Sequence, residues 1–337
     1  MKKGTAAAGI LAALALILDS RCAADSARDA LALCAHTLVP SLFPLFVISG
    51  MLVPGLLGFR LSWLSRLLGL PRGAEGIWLL GTAGGFPVGA AAIAQAVQTD
   101  ALSKKDGTRM LGLCSLCGPA FLFGVLPRFL PMGQVTAIFL LQWETSLLLA
   151  AFWPGRSEGT LSPAAGSVSL PESVQRAVSS ILTVCSWVVL AGVAAGFLRR
   201  WLFPFLPGPF GTVLTGLMEL TTGIFALPEQ SRFLLTALFV CFGGVSVLLQ
   251  IGGVSALPMG TCVLQKAVHG LLGLAAAWLY LRIGAAAFLF VLLPVFLKIM
   301  VEIPAELMYN VRERKGSECC FVRKWSAPAN TAASARK

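Results

Sequence analysis

The sequence predicts an all-α fold: a polytopic helical membrane protein made of inverted repeats with two re-entrant hairpins. Of its 337 residues, 57% are hydrophobic and 12% charged, about half the charged fraction of an ordinary soluble domain. Between the charged clusters run apolar segments of the roughly 20 residues that a helix needs to cross a bilayer. Long apolar runs are also broken twice by glycine, proline and polar residues, and each time a second broken run comes next. The first pair is 81–90 (GTAGGFPVGA) with 114–124 (CSLCGPAFLFG). The second is 216–224 (GLMELTTGI) with 241–250 (CFGGVSVLLQ). A β-barrel would need an alternating pattern that the chain lacks.

Taken in order, the spans are predicted at 4–18, 30–53, 109–127, 132–152, 177–198, 233–254, 262–281 and 284–304. The first comes after Lys2-Lys3 and resembles a secretory signal, but no small-residue cleavage site precedes Cys22, so a retained helix is expected. Two further apolar segments, 76–97 and 211–228, contain Gly85-Phe86-Pro87 and the stretch from Glu219 to Gly223. They read as hairpins, because non-helical backbone at membrane depth survives only inside protein or beside a cavity. Between 59 and 73, Arg60, Arg66 and Arg72 alternate with leucines in a basic amphipathic stretch suited to the interface.

With the N-terminus inside and both hairpins returning to their side of entry, 18 basic residues fall inside, Lys266 among them, and 7 outside. That bias favours N-in, C-in. The first hairpin then enters from the inside and the second from the outside, which makes the halves inverted. The chain divides into a first helix and loop (1–29), a first repeat (30–152), a cytoplasmic linker (153–176), a second repeat (177–283), a last helix (284–311) and a basic tail (312–337). Seven basic and two acidic residues in that tail account for much of the net +11. Basic residues beside a span serve topology and anionic headgroups, and no nucleic-acid-binding pattern accompanies them.

Six of the nine cysteines lie in apolar runs, as small hydrophobes do, and Cys114-x-x-Cys117 has no matching second pair. Neither a metal site nor a cofactor is expected. The sequence motifs of hydrolases, metalloenzymes and phosphate-binding loops are missing, so an enzyme is not expected.

Paired breaks in two halves point to a solute site at their meeting place. Gly85, Pro87, Gly89, Ser115 and Gly118 are expected on one side of it, and Glu219, Thr221, Thr222, Gly244 and Ser246 on the other. Glu219 stands out because a carboxylate in an apolar run is costly unless paired or hydrated. Backbone N–H groups at the tips would hold substrate carboxylates, and Glu219 would hold a coupling Na+ or H+. Other polar groups in apolar runs are Glu144, His36, His269, Gln250 and the i,i+4 pair Lys298/Glu302.

The segments 38–52 (LVPSLFPLFVISGML), 84–93 (GGFPVGAAAI), 117–126 (CGPAFLFGVL), 218–224 (MELTTGI) and 242–254 (FGGVSVLLQIGGV), in this order, resemble the YlbJ-type sporulation integral membrane protein family. That family belongs to the nucleoside-recognition (gate) domain group, related to spore maturation proteins and concentrative nucleoside transporters. The chain differs from the family pattern in having Ala91 and Ala92 after the first tip and Ser115-Leu116-Cys117 before Gly118. The resemblance implies a secondary transporter of a small anionic metabolite, dipicolinate, exported from the mother cell during sporulation. It implies a multi-pass protein of the bacterial cytoplasmic or outer forespore membrane, in contact with lipid and solute and compatible with a homo-oligomer. Two alternatives stay open: a non-transporting sporulation scaffold that recruits partners through its tail, and a nucleoside-type carrier.

Overall fold

The computed structural model describes residues 3–57, 59, 61–154, 161, 168–206 and 208–298. The expected tail, half of the linker (155–160 and 162–167), Arg60, Glu302 and the end of the last span lie outside these residues. The chain forms one unit from Met1 to Leu292 and a second from Leu293 to Lys337. In the second, residues 293–298 are described and are helical. Every helix up to Ile283 belongs to the first unit.

Every described regular element is helical. Helix α1 (Lys3–Leu18) ends at Asp19, whose carboxylate accepts from the Cys22 N–H and starts α2 (Ser20–Leu33). A π-helical turn, Cys34–Leu38, joins α2 to α3 (Val39–Leu56) just ahead of Pro40. Such widened turns occur where a helix loses regular bonding. The run Ser20–Leu56 is therefore continuous over 37 residues, where the sequence predicts a shorter span. Helix α4 (Ser62–Leu68) ends on Gly69.

Helices α5 (Glu75–Gly84) and α6 (Val88–Gln98) fold back on one another around Gly85-Phe86-Pro87. Helices α7 (Lys104–Leu113) and α8 (Pro119–Val125) are separated by five non-helical residues, where the sequence predicts one interrupted span. Ser103 opens α7 by accepting from the Asp106 N–H, the serine–acid spacing of a capping box. Next come α9 (Met132–Phe152) and α10 (Leu170–Phe197), the latter capped by Ser169. A second fold-back joins α11 (Gly208–Met218) to α12 (Leu220–Phe225) at Glu219. Helices α13 (Glu229–Phe242) and α14 (Gly244–Ser255) meet at a glycine kink, and α15 (Gly260–Ile283) closes the series.

Among the described residues, five runs are long and apolar enough to cross a membrane: Ser20–Leu56, Met132–Phe152, Leu170–Phe205, Glu229–Ser255 and Gly260–Ile283. This matches a polytopic helical membrane protein. Large apolar side chains such as Leu182 (62% exposed), Leu190 (60%) and Leu271 (64%) point outward, as they would toward lipid. Among the described residues, three buried clusters hold the interior together. One centres on Ile77, Trp78, Ile93 and Met110, another on Leu122, Leu141, Ile224 and Phe239, and a third on Phe46, Val88, Val184 and Val188. Each includes residues of a fold-back, so the interrupted segments are interior rather than peripheral.

Candidate functional site

The first fold-back closes because two glycines let backbones touch. A methyl group at either Gly81 or Gly89 would overlap the Cys114 carbonyl oxygen, and the two Cα atoms lie against each other. Larger residues would push α5 and α6 apart and displace the break at the end of α7. At the tip, Gly85 sits against Gly118, and the Phe86–Pro87 bond is cis.

Of the five residues between α7 and α8, Cys114 still donates to the Met110 carbonyl and Gly118 still accepts from the Leu122 N–H; the polar groups of residues 115–117 need other partners. The fold supplies them from several elements. The Phe86 N–H donates to the Leu116 carbonyl at 2.7 Å. Gln142 of α9 brackets Cys117: its side-chain oxygen accepts from the Cys117 N–H at 3.2 Å, and its amide donates to the Cys117 carbonyl at 2.8 Å. Ser146 Oγ donates to the Leu113 carbonyl at 3.4 Å. Lys266 of α15 donates from Nζ to the Ser115 carbonyl at 2.9 Å.

Helix α15 acts as a polar brace along one face. Beside Lys266, Gln265 donates to the Arg109 carbonyl at 3.0 Å, and His269 Nε2 lies 3.1 Å from both the Gln142 carbonyl and Thr145 Oγ1. All three side chains are buried. The charge pattern places Lys266 among the inside charges; the structure instead buries it in a helix, with its ammonium 5.7 Å from the centroid of the Phe86 ring.

The second fold-back is built from its own residues. Glu219 caps α12: one carboxylate oxygen accepts from the Thr221 N–H at 3.1 Å and the other from the Thr222 N–H at 2.6 Å. A carboxylate at a helix N-terminus is stabilised by the free N–H groups there, which explains how an acid sits in an apolar run. Those N–H groups are thereby occupied. Gly223 packs against Gly216 as Gly89 does against Gly81. The α13–α14 kink turns on Gly243 (φ 90°) and Gly244 (φ 84°), values that side-chain-bearing residues rarely adopt. A Cβ on Gly244 would lie 3.4 Å from the Gly216 and Leu217 carbonyl oxygens, so this kink seats directly on the second fold-back.

Both interrupted regions face one cavity of about 120 Å³. Its wall includes Gly84 and Phe86 from the first tip, Cys117 and Gly118 from the first break, Glu219, Leu220 and Thr221 from the second tip, and Val247 and Gln250 from α14. Thr37, Ser41 and Val188 close it from α2–α3 and α10. Of the residues expected at the site, Gly118, Glu219 and Thr221 line this cavity. Gly85, Pro87, Ser115 and Gly244 belong to the tips and breaks that frame it, and Gly89, Thr222 and Ser246 to the first turns of α6, α12 and α14, without lining it. Glu219 is the carboxylate of the wall; the other polar contributions are hydroxyls, the Cys117 thiol, the Gln250 amide and backbone. The Gln250 amide donates to Ser246 Oγ at 3.2 Å.

A second, more polar cavity of about 190 Å³ lies nearer the start of α10, beside Ser49, Gln95, Gln98, Arg176 and Ser180. Arg176 also pairs with Glu172 at 2.6 Å. Sequence reading passes over Phe86 as a wall residue, Gln142 and Lys266. The signal for Lys266 is a lysine set, next to Gln265, within an otherwise apolar run, with His269 at i+3. No group of three or more metal-ligating side chains occurs among the described residues.

Comparison of the chain with protein-family models, curated proteins and solved structures gives no match.

Proposed function

We propose that the chain is a secondary membrane transporter of a small organic anion, with the cavity between the two interrupted regions as its solute site. The observation that carries this reading is that two fold-backs and two helix breaks, far apart in sequence, contribute wall residues to one cavity. The same order recurs in each half: a fold-back, then a broken helix pair seated on its tip. Gly85 packs on Gly118 in the first half, and Gly244 packs on Gly216 and Leu217 in the second. That recurrence supports two inverted repeats with re-entrant hairpins, an architecture in which solute and coupling ion bind at the repeat interface.

In this reading Glu219 holds the coupling cation or proton, which neutralises its carboxylate so that an anion can bind in the same cavity. Dipicolinate is the first solute to test, on the strength of the family resemblance. One observation favours a second reading, a nucleoside-type carrier: the wall holds a carboxylate, hydroxyls and an amide, a set suited to a neutral hydroxyl-bearing solute. Uptake of labelled dipicolinate and labelled uridine into proteoliposomes separates the two. Saturable dipicolinate flux supports the anion carrier, and saturable uridine flux alone supports the nucleoside reading. Failure of folded protein to move either solute would favour the scaffold alternative.

A further inference from the structure

A helix interrupted at membrane depth leaves carbonyl oxygens at the end of its first half. In carriers built from broken helices, such carbonyls are where coupling cations bind. The break after α7 has this chemistry. Ser115 presents its carbonyl and, beside it, a fully buried hydroxyl oxygen that makes no hydrogen bond. What reaches this place is part of the chain itself: Lys266 Nζ, 2.9 Å from the Ser115 carbonyl oxygen.

Lys266 is fully buried, and among the described ion pairs none involves it. A buried ammonium without a counter-ion depends on dipoles and π faces for stabilisation. Here these are the Ser115 carbonyl, two residues past the end of α7, and the ring of Phe86, which also lines the solute cavity. The second half has no equivalent, since its kink is a tight glycine turn and its tip carries a carboxylate.

We infer that Lys266 is a tethered cation: its ammonium occupies the place at the first break that an exchangeable Na+ would otherwise fill. The first half then takes up no ion, and Glu219 at the second tip is left as the place for an exchangeable cation. The occupancy of the first break stands on its own geometry, whereas the consequence for ion coupling rests on the transporter reading.

Thermal unfolding of the full chain in detergent tests the occupancy without requiring flux. Lys266→Ala should lower Tm. Its Tm should then rise saturably with NaCl and with ethylammonium chloride, relative to choline chloride at equal ionic strength, by more than the wild type's does. Lys266→Met, which refills the space without charge, should show no added response. If Lys266→Ala gains no added response, or Lys266→Met gains the same one, the assignment is overturned and Lys266 is a structural brace. Should Lys266→Ala not fold, Lys266→Asn, shorter and still a donor, is read by the same criteria. Absence of flux in the wild type would count against the transporter reading and leave the thermal result standing.

Discussion

The first and second interrupted regions solve one problem in different ways. Both place non-helical backbone among buried side chains, where each polar group needs a partner. In the first, apart from the Cys114 N–H bond to the Met110 carbonyl that ends α7, the partners come from elsewhere: Phe86 from the tip, Gln142 and Ser146 from α9, and Lys266 from α15. In the second they are local. Glu219 caps the helix it precedes, and the Gly243 N–H donates to the Phe239 carbonyl at 2.7 Å across the kink. The first region is therefore braced to the scaffold, while the second is self-contained. Damage to the first should spread into overall stability, whereas damage to the second should stay near the cavity.

The largest effect is expected where the first region has no room to adjust. Gly89→Val places two methyl groups against the Cys114 carbonyl and Gly81, both backbone, and should cost about 3 kcal/mol or more in unfolding free energy. A variant within about 1 kcal/mol of wild type would show that the notch yields. Next is Gln142→Leu, which strips both partners from Cys117. At about 1–3 kcal/mol for each orphaned buried group, a loss of about 2–4 kcal/mol is expected, and a loss below about 1 kcal/mol would break the contrast between braced and self-contained regions.

Glu219→Gln should cost only about 1 kcal/mol, the scale of a helix cap, because the amide oxygen still accepts one N–H. Its effect should appear in solute flux. If stability drops as far as in Gln142→Leu, the second region is not self-contained. Smallest is Gly124→Ala in α8, where no atom lies within 4 Å of the added Cβ. It should shift stability by no more than about 1 kcal/mol, toward greater stability, and thermal unfolding of all four variants ranks them on one scale.

The breaks were legible because glycine, proline and an isolated acid punctuate apolar runs at the places where helices end. Gly85-Phe86-Pro87, Gly118-Pro119, Glu219 and Gly243-Gly244 are all helix termini in the structure. The brace was not legible. Lys266 contacts a carbonyl 151 residues away and Gln142 contacts one 25 residues away, and neither distance leaves a mark on local composition. A lysine near the start of an apolar run reads as a loop charge when hydropathy is the only guide. Proline alone does not mark such an end: Pro44 and Pro54 lie inside α3 without ending it, and the expected span 30–53 already runs through Pro44. Glu219 was legible as the unusual acid, but its contacts with the N–H groups of Thr221 and Thr222 depend on where α12 begins.

The central claim is that the cavity shared by the two interrupted regions is a solute site with Glu219 in its wall. Flux of labelled dipicolinate into proteoliposomes, compared between wild type and Glu219→Gln at matched folded content, tests it most directly. The account predicts saturable wild-type flux that the variant loses while keeping a near-wild-type Tm. Equal flux in both proteins would contradict it.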